Sequence, residues 1–346
     1  AAVEQRGLAF AHQLWLRPQA LPGLRRLTDA VHAAGAKVSI QLGHCGNMAA
    51  NRAVAGGRAI APSARFNLYG PTWPKAMSEG EIKRVTLAFG DAVRLAHDAG
   101  FDAVEVHAGH GYLISQFLSP STNRRHDGYG GALEGRMRFM REAMAEVKKA
   151  AGSSLAVLVK MNTRDGFAGG MELDEAVQVA RTLEQDGADA LILSGGFVSR
   201  SPMYIMRGPM PTKVMSQLMP QWWMRAFVGA FGEWLIPSVP YADHYFLEDA
   251  KVIREEVKLP LVYVGGVASQ AAVDTVLAAG FEAIALARAL IREPDFVNRL
   301  QREQQADSRC DHCNYCAARI YTTNMACHFR EPPPEALRRL MPGSAP

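Results

Sequence analysis

Short apolar runs recur along the chain and alternate with longer segments that have helical periodicity. The runs are rich in Val, Ile, Leu and Ala and are apolar throughout instead of alternating, which is typical of strands covered on both faces. Six strands are predicted on this basis: KVSIQL (37–42), DAVEVH (102–107), LAVLVKM (155–161), ADALILS (188–194), LPLVYVGG (259–266) and EAIALA (282–287). Four of them follow a helical segment ending in AAGA, DAGF, QDGA or AAGF, where the Gly is a helix stop signal.

This alternation predicts a parallel sheet, either an open doubly wound sheet or a closed barrel. Chemically distinctive residues stand at the ends of many predicted strands: Gln41, His107, Lys160, Ser194, Gly265 and Arg288. A barrel gathers its strand ends into a ring, whereas an open sheet concentrates its site at one switch point. No GxGxxG follows an early strand, which argues further against the open sheet. The pattern therefore predicts an α/β protein with a (β/α)8 TIM barrel.

A barrel of this type needs eight strands, and the pattern supplies six. Residues 1–21 contain no convincing strand, and the first helical segment ends at Gly35. The first two strands are therefore expected to be absent from the sequence given. The barrel is predicted over residues 1–308, followed by a Cys-containing segment over 309–346.

Residues 197–250 form an insertion that is too long for a simple connection and is rich in Met and Trp. We interpret it as a helical lid or as an interface of a homo-oligomer. The alternative is docking of QWWMRAFVGAFGEWLI on a membrane surface, but this stretch carries few of the basic residues that such helices use.

Composition and charge narrow the functional class. A net charge of +4 over 346 residues, without basic runs that contain aromatic residues, argues against nucleic acid as a partner. No apolar stretch reaches the roughly 18 residues of a membrane span, and no secretory leader is recognisable. The cytoplasm is the expected location.

The stretch HAGHGYLISQFLSPSTNRRHDGYGG (107–131) is the strongest candidate for chemistry. It follows a buried strand and presents His107, His110 and Tyr112 within six residues. It resembles the signature of the old yellow enzyme family of NAD(P)H:flavin oxidoreductases, which includes a 2,4-dienoyl-CoA reductase-like branch. QLGHCG (41–46) and ARALIREPDF (287–296) resemble two further motifs of that family.

The resemblance implies an FMN-containing (β/α)8 barrel that uses NAD(P)H to reduce activated alkenes such as α,β-unsaturated carbonyl compounds. Flavin supplies the hydride, because no side chain can do so. His107 and His110 are expected to hold the substrate oxygen, and Tyr112 is expected to donate the proton.

The same resemblance implies the residues that bind FMN. Gln41 is expected at the pyrimidine edge and Lys160 near flavin N1. The expected phosphate contacts are Gly265, Gly266, Ala287 and Arg288, after the last two strands. Three neighbours of Lys160 are expected to be solvated loop residues at the barrel mouth: Asn162, Arg164 and Asp165.

The remainder of the motif, SPSTNRRHDGYGG, is interpreted as architectural. Asn123, Arg125 and Tyr129 are expected to shape the loop, in which Asp-Gly is a turn signal. Arg136 and Glu134 are expected to brace it.

Four cysteines crowd into the C-terminal segment: Cys310, Cys313, Cys316 and Cys327. The dienoyl-CoA reductase-like branch binds a 4Fe-4S cluster through four cysteines in this region, but spaces them differently. A 4Fe-4S cluster, zinc and no metal all remain open. Cys45 stands alone and is expected to be a small buried residue.

An FMN-dependent ene-reductase is the leading interpretation. A dienoyl-CoA reductase-like or amine-oxidising iron–sulfur flavoenzyme is an alternative within the enzyme class. From another class, a flavin-less remnant of the barrel would serve as a binding or structural protein.

Overall fold

The computed structural model describes residues 1–10, 12–49, 57–67, 72–219, 221–303, 306–321 and 325–341. Parts of the predicted C-terminal segment, residues 322–324 and 342–346, therefore lie outside the described residues. The strands are β1 (Ser39–Leu42), β2 (Ile60–Ala61), β3 (Lys75–Ala76), β4 (Ala103–His107), β5 (Ala156–Asn162), β6 (Ala190–Ser194), β7 (Leu261–Val264) and β8 (Ala283–Ala285). The α-helices are α1 (Leu21–Ala33), α2 (Glu79–Asp98), α3 (Leu113–Leu118), α4 (Leu133–Ala151), α5 (Leu173–Gln185), α6 (Pro202–Ile205), α7 (Thr212–Leu218), α8 (Trp222–Leu235), α9 (Leu247–Glu256), α10 (Gln270–Ala278), α11 (Arg288–Arg292), α12 (Phe296–Arg302), α13 (Tyr315–Ala318) and α14 (Glu335–Arg338).

All six predicted strands are confirmed, and within the described residues they form one sheet in the order β1-β4-β5-β6-β7-β8. The pairs β1–β4, β4–β5 and β5–β6 are parallel. Their registers set Gln41 opposite Glu105, and His107 opposite Lys160. Sequential parallel strands joined by helices are the arrangement of an α/β barrel, as predicted. The strands β2 and β3 pair separately and are too short to leave a recognisable sequence pattern.

The chain divides into two compact units. Unit 1 comprises residues 1–200 and 249–262, and unit 2 comprises residues 201–248 and 263–346. The predicted boundary near residue 308 stays a prediction.

Unit 1 is built on buried strands covered by amphipathic helices. Helix α2 begins with a capping box between Ser78 and Glu81. Its buried stripe includes Ile82, Val85, Phe89 and Val93. The strand residues buried with them are Val104, Val106, Val157, Val159 and Leu191. The predominance of buried apolar residues in these strands explains why the sequence pattern located them.

The SPSTNRRHDGYGG segment has the architectural contacts that we expected. The Asn123 amide donates to the carbonyl oxygens of Phe117 and Tyr129, at 2.8 Å each. The Arg125 guanidinium donates to the carbonyl oxygens of Pro62 (2.9 Å) and Met77 (2.7 Å). These bonds fix the chain that follows α3, and with it the C-terminal side of the candidate site.

Further contacts that hold this loop come from α4. Arg136 is buried, donates to the Leu118 carbonyl oxygen, and pairs with Glu175 of α5. Glu134, the other expected brace, lies in the first turn of α4.

Unit 2 contains residues 201–248 of the insertion, which include the helices α6, α7 and α8, and its role as a lid or an interface stays a prediction. Helices α7 and α8 pack on each other around Met215 and Met219, with Ala318 of α13 in the same cluster. This cluster accounts for part of the Met-rich composition of the insertion.

Candidate active site

The residues predicted to do chemistry lie together where β4 ends. His107 is the last residue of β4, and a tight turn carries the chain through His110 to Tyr112, which precedes α3. The ring centroids of His107 and His110 are 5.1 Å apart, and those of His107 and Tyr112 are 4.5 Å apart. The structure therefore brings all three side chains into one cluster.

Contacts within unit 1 fix this turn. Gly111 has φ +76°, and a Cβ at this position would lie 2.4 Å from Cδ1 of Phe197. The Val198 amide donates to the His110 carbonyl oxygen at 3.0 Å. The fully buried Gln116 donates from Nε2 to the Gly111 carbonyl oxygen at 2.7 Å. Sequence reasoning assigned no role to Gln116, although it belongs to the recognised motif.

His107 is buried, and its Nδ1 has no hydrogen-bond partner among the described residues. Burial, together with the neighbouring His110 and Lys160 charges, holds the pKa of His107 well below its usual value. The imidazole is therefore neutral near pH 7 and has one N–H group to offer.

His110 is positioned by two buried polar residues. Its backbone, at φ +58°, donates from N to Asn162 Oδ1 at 2.9 Å. Its Nε2 lies 2.7 Å from Ser194 Oγ. Burial, and secondarily the Lys160 charge, lower the pKa of His110 to about 3. His110 is therefore a second neutral imidazole beside His107.

The expectation that Asn162 and Asp165 are solvated is wrong, because both are buried. Asn162 Nδ2 donates to Asp165 Oδ1 (3.0 Å) and to the Gly196 carbonyl oxygen (2.9 Å). The Asp165 carboxylate accepts from the Met171 amide at 2.8 Å. Asn162 thus connects the His110 turn to the chain that follows β6.

The Arg164 side chain is held by ion pairs with two carboxylates. Its Nε and Nη2 lie 2.6 and 2.9 Å from the Asp249 carboxylate, and its Nη1 lies 2.9 Å from Glu172. Its side chain is about one-third exposed, so it is not a freely solvated loop residue.

Tyr112 is partly buried and packs against a cluster formed by Cys45, Met48, Ala49 and Ala59. Cys45 is buried as predicted, and burial raises the pKa of its thiol far above the usual value. These apolar side chains pack against the phenol ring and so limit the directions in which its hydroxyl group can point.

A polar row crosses three adjacent strands below this cluster. Gln41 of β1 donates from Nε2 to Glu105 of β4, and Lys160 Nζ of β5 lies 2.8 Å from the same Glu105 Oε1. A carboxylate only accepts hydrogen bonds, so the Gln41 amide must turn its NH2 toward Glu105. Its Oε1 then faces away and can accept from a ligand.

Sequence reasoning missed Glu105. The available signal was an acidic residue inside an otherwise apolar strand, two positions before His107 and one strand away from a lysine. Isolated charges are rarely buried without a partner.

In unit 2, the predicted phosphate contacts surround the ends of β7 and β8. A Cβ on Gly265 would lie 2.9 Å from Cε2 of the Tyr245 ring, so glycine permits this close packing. Ala287 directly precedes α11. Arg288 Nη1 donates to the Arg207 carbonyl oxygen (2.8 Å) and to Asn314 Oδ1 (2.7 Å).

The four predicted metal ligands are partly buried free thiols: Cys310, Cys313, Cys316 and Cys327. Burial raises the pKa of the Cys310 and Cys316 thiols, and neighbouring cysteines add to the effect at both.

A second donor set overlaps the first. Asp311, Cys313 and His328 place ligand atoms within 4.8 Å of one another, with His328 Nε2 at 3.0 Å from Asp311 Oδ2. Sequence reasoning did not include Asp311 or His328, which directly follow Cys310 and Cys327. A thiol, an imidazole and a carboxylate together suit zinc, whereas four thiols suit either zinc or an iron–sulfur cluster.

Comparison with known proteins shows the family to which this chain is similar. The model of the NADH:flavin oxidoreductase / NADH oxidase family matches residues 1–217. A 4,4'-dithiodibutanoate disulfide reductase of Rhodococcus erythropolis is 40% identical over 326 residues, which cover 93% of this chain and 79% of that protein. An NADH oxidase of Thermoanaerobacter brockii is 30% identical over 296 residues, covering 85% of this chain but 41% of that protein.

Solved structures share the fold. A 2-naphthoyl-CoA reductase in complex with 2-naphthoyl-CoA superimposes with a TM-score of 0.79 at 23% identity, covering 99% of this chain and 49% of that chain. The old yellow enzyme homologue from Zymomonas mobilis superimposes with a TM-score of 0.66 at 25% identity, covering 90% of this chain and 80% of that chain. These likenesses agree with the barrel predicted from the strand pattern. Among the described helices, none has the length and apolarity needed to cross a membrane.

Proposed function

The chain belongs to the NADH:flavin oxidoreductase / NADH oxidase family, and from this premise we propose that it reduces activated carbon–carbon double bonds of small α,β-unsaturated carbonyl compounds. The electron donor is NAD(P)H and the cofactor is FMN. One observation carries the proposal: two neutral buried imidazoles and a phenol converge at the end of β4.

The polar row of unit 1 fits the cofactor that the family implies. FMN, when bound, supplies the hydride that no side chain can give. Gln41 offers its outward Oε1 to the pyrimidine edge, since Glu105 holds its NH2. Lys160 provides the cation near flavin N1. The buried, unpartnered Nδ1 of His107 marks a polar position that a ligand can satisfy.

His107 and His110 hold the carbonyl oxygen of the substrate. Charge builds on this oxygen as hydride arrives at the β-carbon, so donors fixed in advance stabilise the transition state more than the ground state. Because both imidazoles stay neutral, they donate hydrogen bonds without giving up a proton. Asn162 and Ser194 fix His110 and so reduce the reorganisation that accompanies the reaction.

Tyr112 donates the proton to the α-carbon. A phenol carries a proton at neutral pH and can act as a general acid when it is positioned. The packing of Tyr112 on the cluster around Cys45 and Met48 supplies that positioning.

Contacts with the FMN phosphate at Gly265, Gly266, Ala287 and Arg288 stay a prediction. Arg288 already donates to Asn314 and to a backbone carbonyl oxygen. A phosphate contact would therefore use its remaining N–H groups.

A second candidate reaction is disulfide reduction, which is favoured by the 40% identity to the Rhodococcus enzyme over 93% of this chain. Hydride would break the S–S bond to give one thiol and one thiolate, and Tyr112 would protonate the thiolate. The same donors and acid would serve both reactions.

The test separates the two half-reactions. Flavin-loaded enzyme is reduced anaerobically with NADH or NADPH and then mixed with a cyclic enone, a maleimide, a nitroalkene, an enoyl-CoA ester or 4,4'-dithiodibutanoate. Reoxidation by the alkenes with formation of the saturated product supports the proposal, and reoxidation by the disulfide alone supports the second candidate. A colourless protein that cannot be reconstituted with FMN would favour a flavin-less remnant.

Two metal sites in unit 2 can be distinguished by matched variants. An iron–sulfur cluster needs Cys316, whereas the donor set of Asp311, Cys313 and His328 does not. Cys316→Ser therefore removes bound iron and sulfide if a cluster is present. His328→Ala removes bound zinc if the mixed donor set is the site.

A further inference from the structure

Helix α8 exposes an unusual amount of aromatic surface. Its sequence is WWMRAFVGAFGEWL, and its aromatic side chains are 80% (Trp222), 48% (Trp223), 46% (Phe227), 53% (Phe231) and 79% (Trp234) exposed. Isolated exposed apolar residues are normal, but contiguous patches of this kind mark interaction surfaces. This helix therefore has a face that the described residues do not cover.

The opposite face of α8 is already packed. Met224 and Val228 contact the cluster formed by Met215, Met219 and Ala318. Gly232 lies so close to α7 that a Cβ would be 2.9 Å from Cβ of Thr212. Helix α8 therefore packs on α7 through one side, while its aromatic side is exposed.

The exposed side of α8 has a ridge beside a groove. With 3.6 residues per turn, Trp223, Phe227 and Phe231 form one row, and Trp222 and Trp234 stand at the two ends of the neighbouring row. The neighbouring row contains the small exposed residues Ala226 and Ala230. Rows at i, i+4 and i+8 are the ridges that interdigitate when two helices pack against each other. In a symmetric pair, the aromatic ridge of each copy would lie along the row of Ala226 and Ala230 of the other copy.

Charge favours a second copy over a lipid surface. Helices that lie on membranes carry several Lys or Arg residues on their polar face. In α8 the charged residues are Arg225 and Glu233. The Arg225 Nε donates to the Met219 carbonyl oxygen at 2.7 Å, and Glu233 lies 3.9 Å from Lys213. Both charged side chains already have partners, and a face dominated by aromatic side chains matches the core of a homodimer interface.

The area is sufficient for a weak dimer. Each aromatic side chain can bury about 150–250 Å², and these five are between 46% and 80% exposed. Covering them removes on the order of 600 Å² per copy, or roughly 1,200 Å² in total, which is the lower end of specific interfaces.

We propose that two copies of this chain associate through the aromatic face of α8, defined by Trp222, Trp223, Phe227, Phe231 and Trp234, about a two-fold axis. The proposal does not depend on the flavin chemistry. It identifies the helical insertion as the element that determines the oligomeric state.

The experiment is sedimentation velocity of the full chain over a wide range of protein concentrations. Phe227→Glu places a charge in the ridge, and the dimer dissociation constant is expected to rise at least 30-fold, the effect typical of a hot-spot residue. The matched control is Leu277→Glu, which charges a 47% exposed residue of α10 outside this face and is expected to leave the dimer intact.

Folding and lipid binding are controlled separately. Circular dichroism and the unfolding midpoint of each variant are compared with the wild type, and Phe231→Ser serves as a second probe if Phe227→Glu does not fold. A wild-type chain that is monomeric at every concentration overturns the proposal. So does a dimer that Phe227→Glu and Phe231→Ser leave unchanged, or a monomer that co-sediments with phosphatidylglycerol vesicles through Phe227.

Discussion

The ammonium group of Lys160 lies 2.8 Å from the carboxylate of Glu105, which also accepts a hydrogen bond from the Gln41 amide. The cation expected beside flavin N1 is therefore partly neutralised by a residue that is 14% exposed on the neighbouring strand. Any preference of this site for an anionic reduced flavin depends on the ion pair of Lys160 and Glu105, and not on Lys160 alone.

Glu105→Gln should raise the flavin midpoint potential. Removing this negative charge would favour the anionic reduced form of the cofactor, and each 1.4 kcal/mol of that preference corresponds to about 30 mV for a two-electron couple. The measurement is a dye-referenced redox titration of the purified flavoprotein, with Lys160→Met as the partner variant that should shift the potential downward. Equal potentials in wild type and Glu105→Gln would show that the pair does not act on the flavin.

Tyr112→Phe should slow the oxidative half-reaction with an enone by about 10²- to 10⁴-fold, the usual contribution of a positioned general acid. Reduction by NAD(P)H should remain nearly unchanged, because this step transfers no proton from Tyr112. Stopped-flow absorbance of the flavin measures both rates. A similar loss in both half-reactions would assign Tyr112 to packing against the cluster around Cys45 and Met48 and not to proton donation.

Stability should fall as the pH is lowered from about 6.5 toward 3. The pKa of His110 is lowered from 6.5 to about 3 in the folded protein, so within this window the unfolded chain binds the proton and the folded chain does not. Within this window, each pH unit of acidification lowers the free energy of unfolding by up to about 1.4 kcal/mol through His110. Urea unfolding at several pH values measures the slope.

His110→Asn is the matched variant for this slope, because it keeps a hydrogen-bond donor without a titrating group. The difference in stability between wild type and variant should change with pH only below about 6.5, the ordinary pKa of histidine. A difference that is independent of pH would mean that His110 titrates alike in the folded and unfolded states.

Gly111→Ala should destabilise unit 1 more than Gly35→Ala. Both glycines have nearly the same positive φ, +76° and +77°, but a Cβ at Gly111 would lie 2.4 Å from Phe197, whereas at Gly35 nothing lies within 4 Å. The left-handed backbone costs roughly 1–2 kcal/mol at either position. The overlap with Phe197 should add about 1–3 kcal/mol at Gly111. Urea unfolding of both variants gives the comparison, and equal losses would contradict the packing seen at Phe197.

The sequence alone predicted the six strands of the sheet and the cluster of His107, His110 and Tyr112 at the end of β4. Val104 and Val106 belong to a short Val-rich run that is mostly apolar, which is typical of a strand covered on both faces. His107, His110 and Tyr112 occupy one turn, so their proximity follows from short chain distance. Prediction was therefore reliable where the relevant contacts lie within about six residues.

Tertiary structure decided the partners of these residues. Glu105 and Lys160 are 55 residues apart in sequence, and only the pairing of β4 with β5 joins them. Asn162 looked solvated because it follows a strand, yet the His110 backbone and the Gly196 carbonyl oxygen enclose it. The exposure of Phe227 and Trp234 likewise depends on which face of α8 packs on α7. Periodicity records whether a side chain tends to be buried, but hydrogen-bond and ion-pair partners depend on strand register and helix packing, which no short segment of sequence contains.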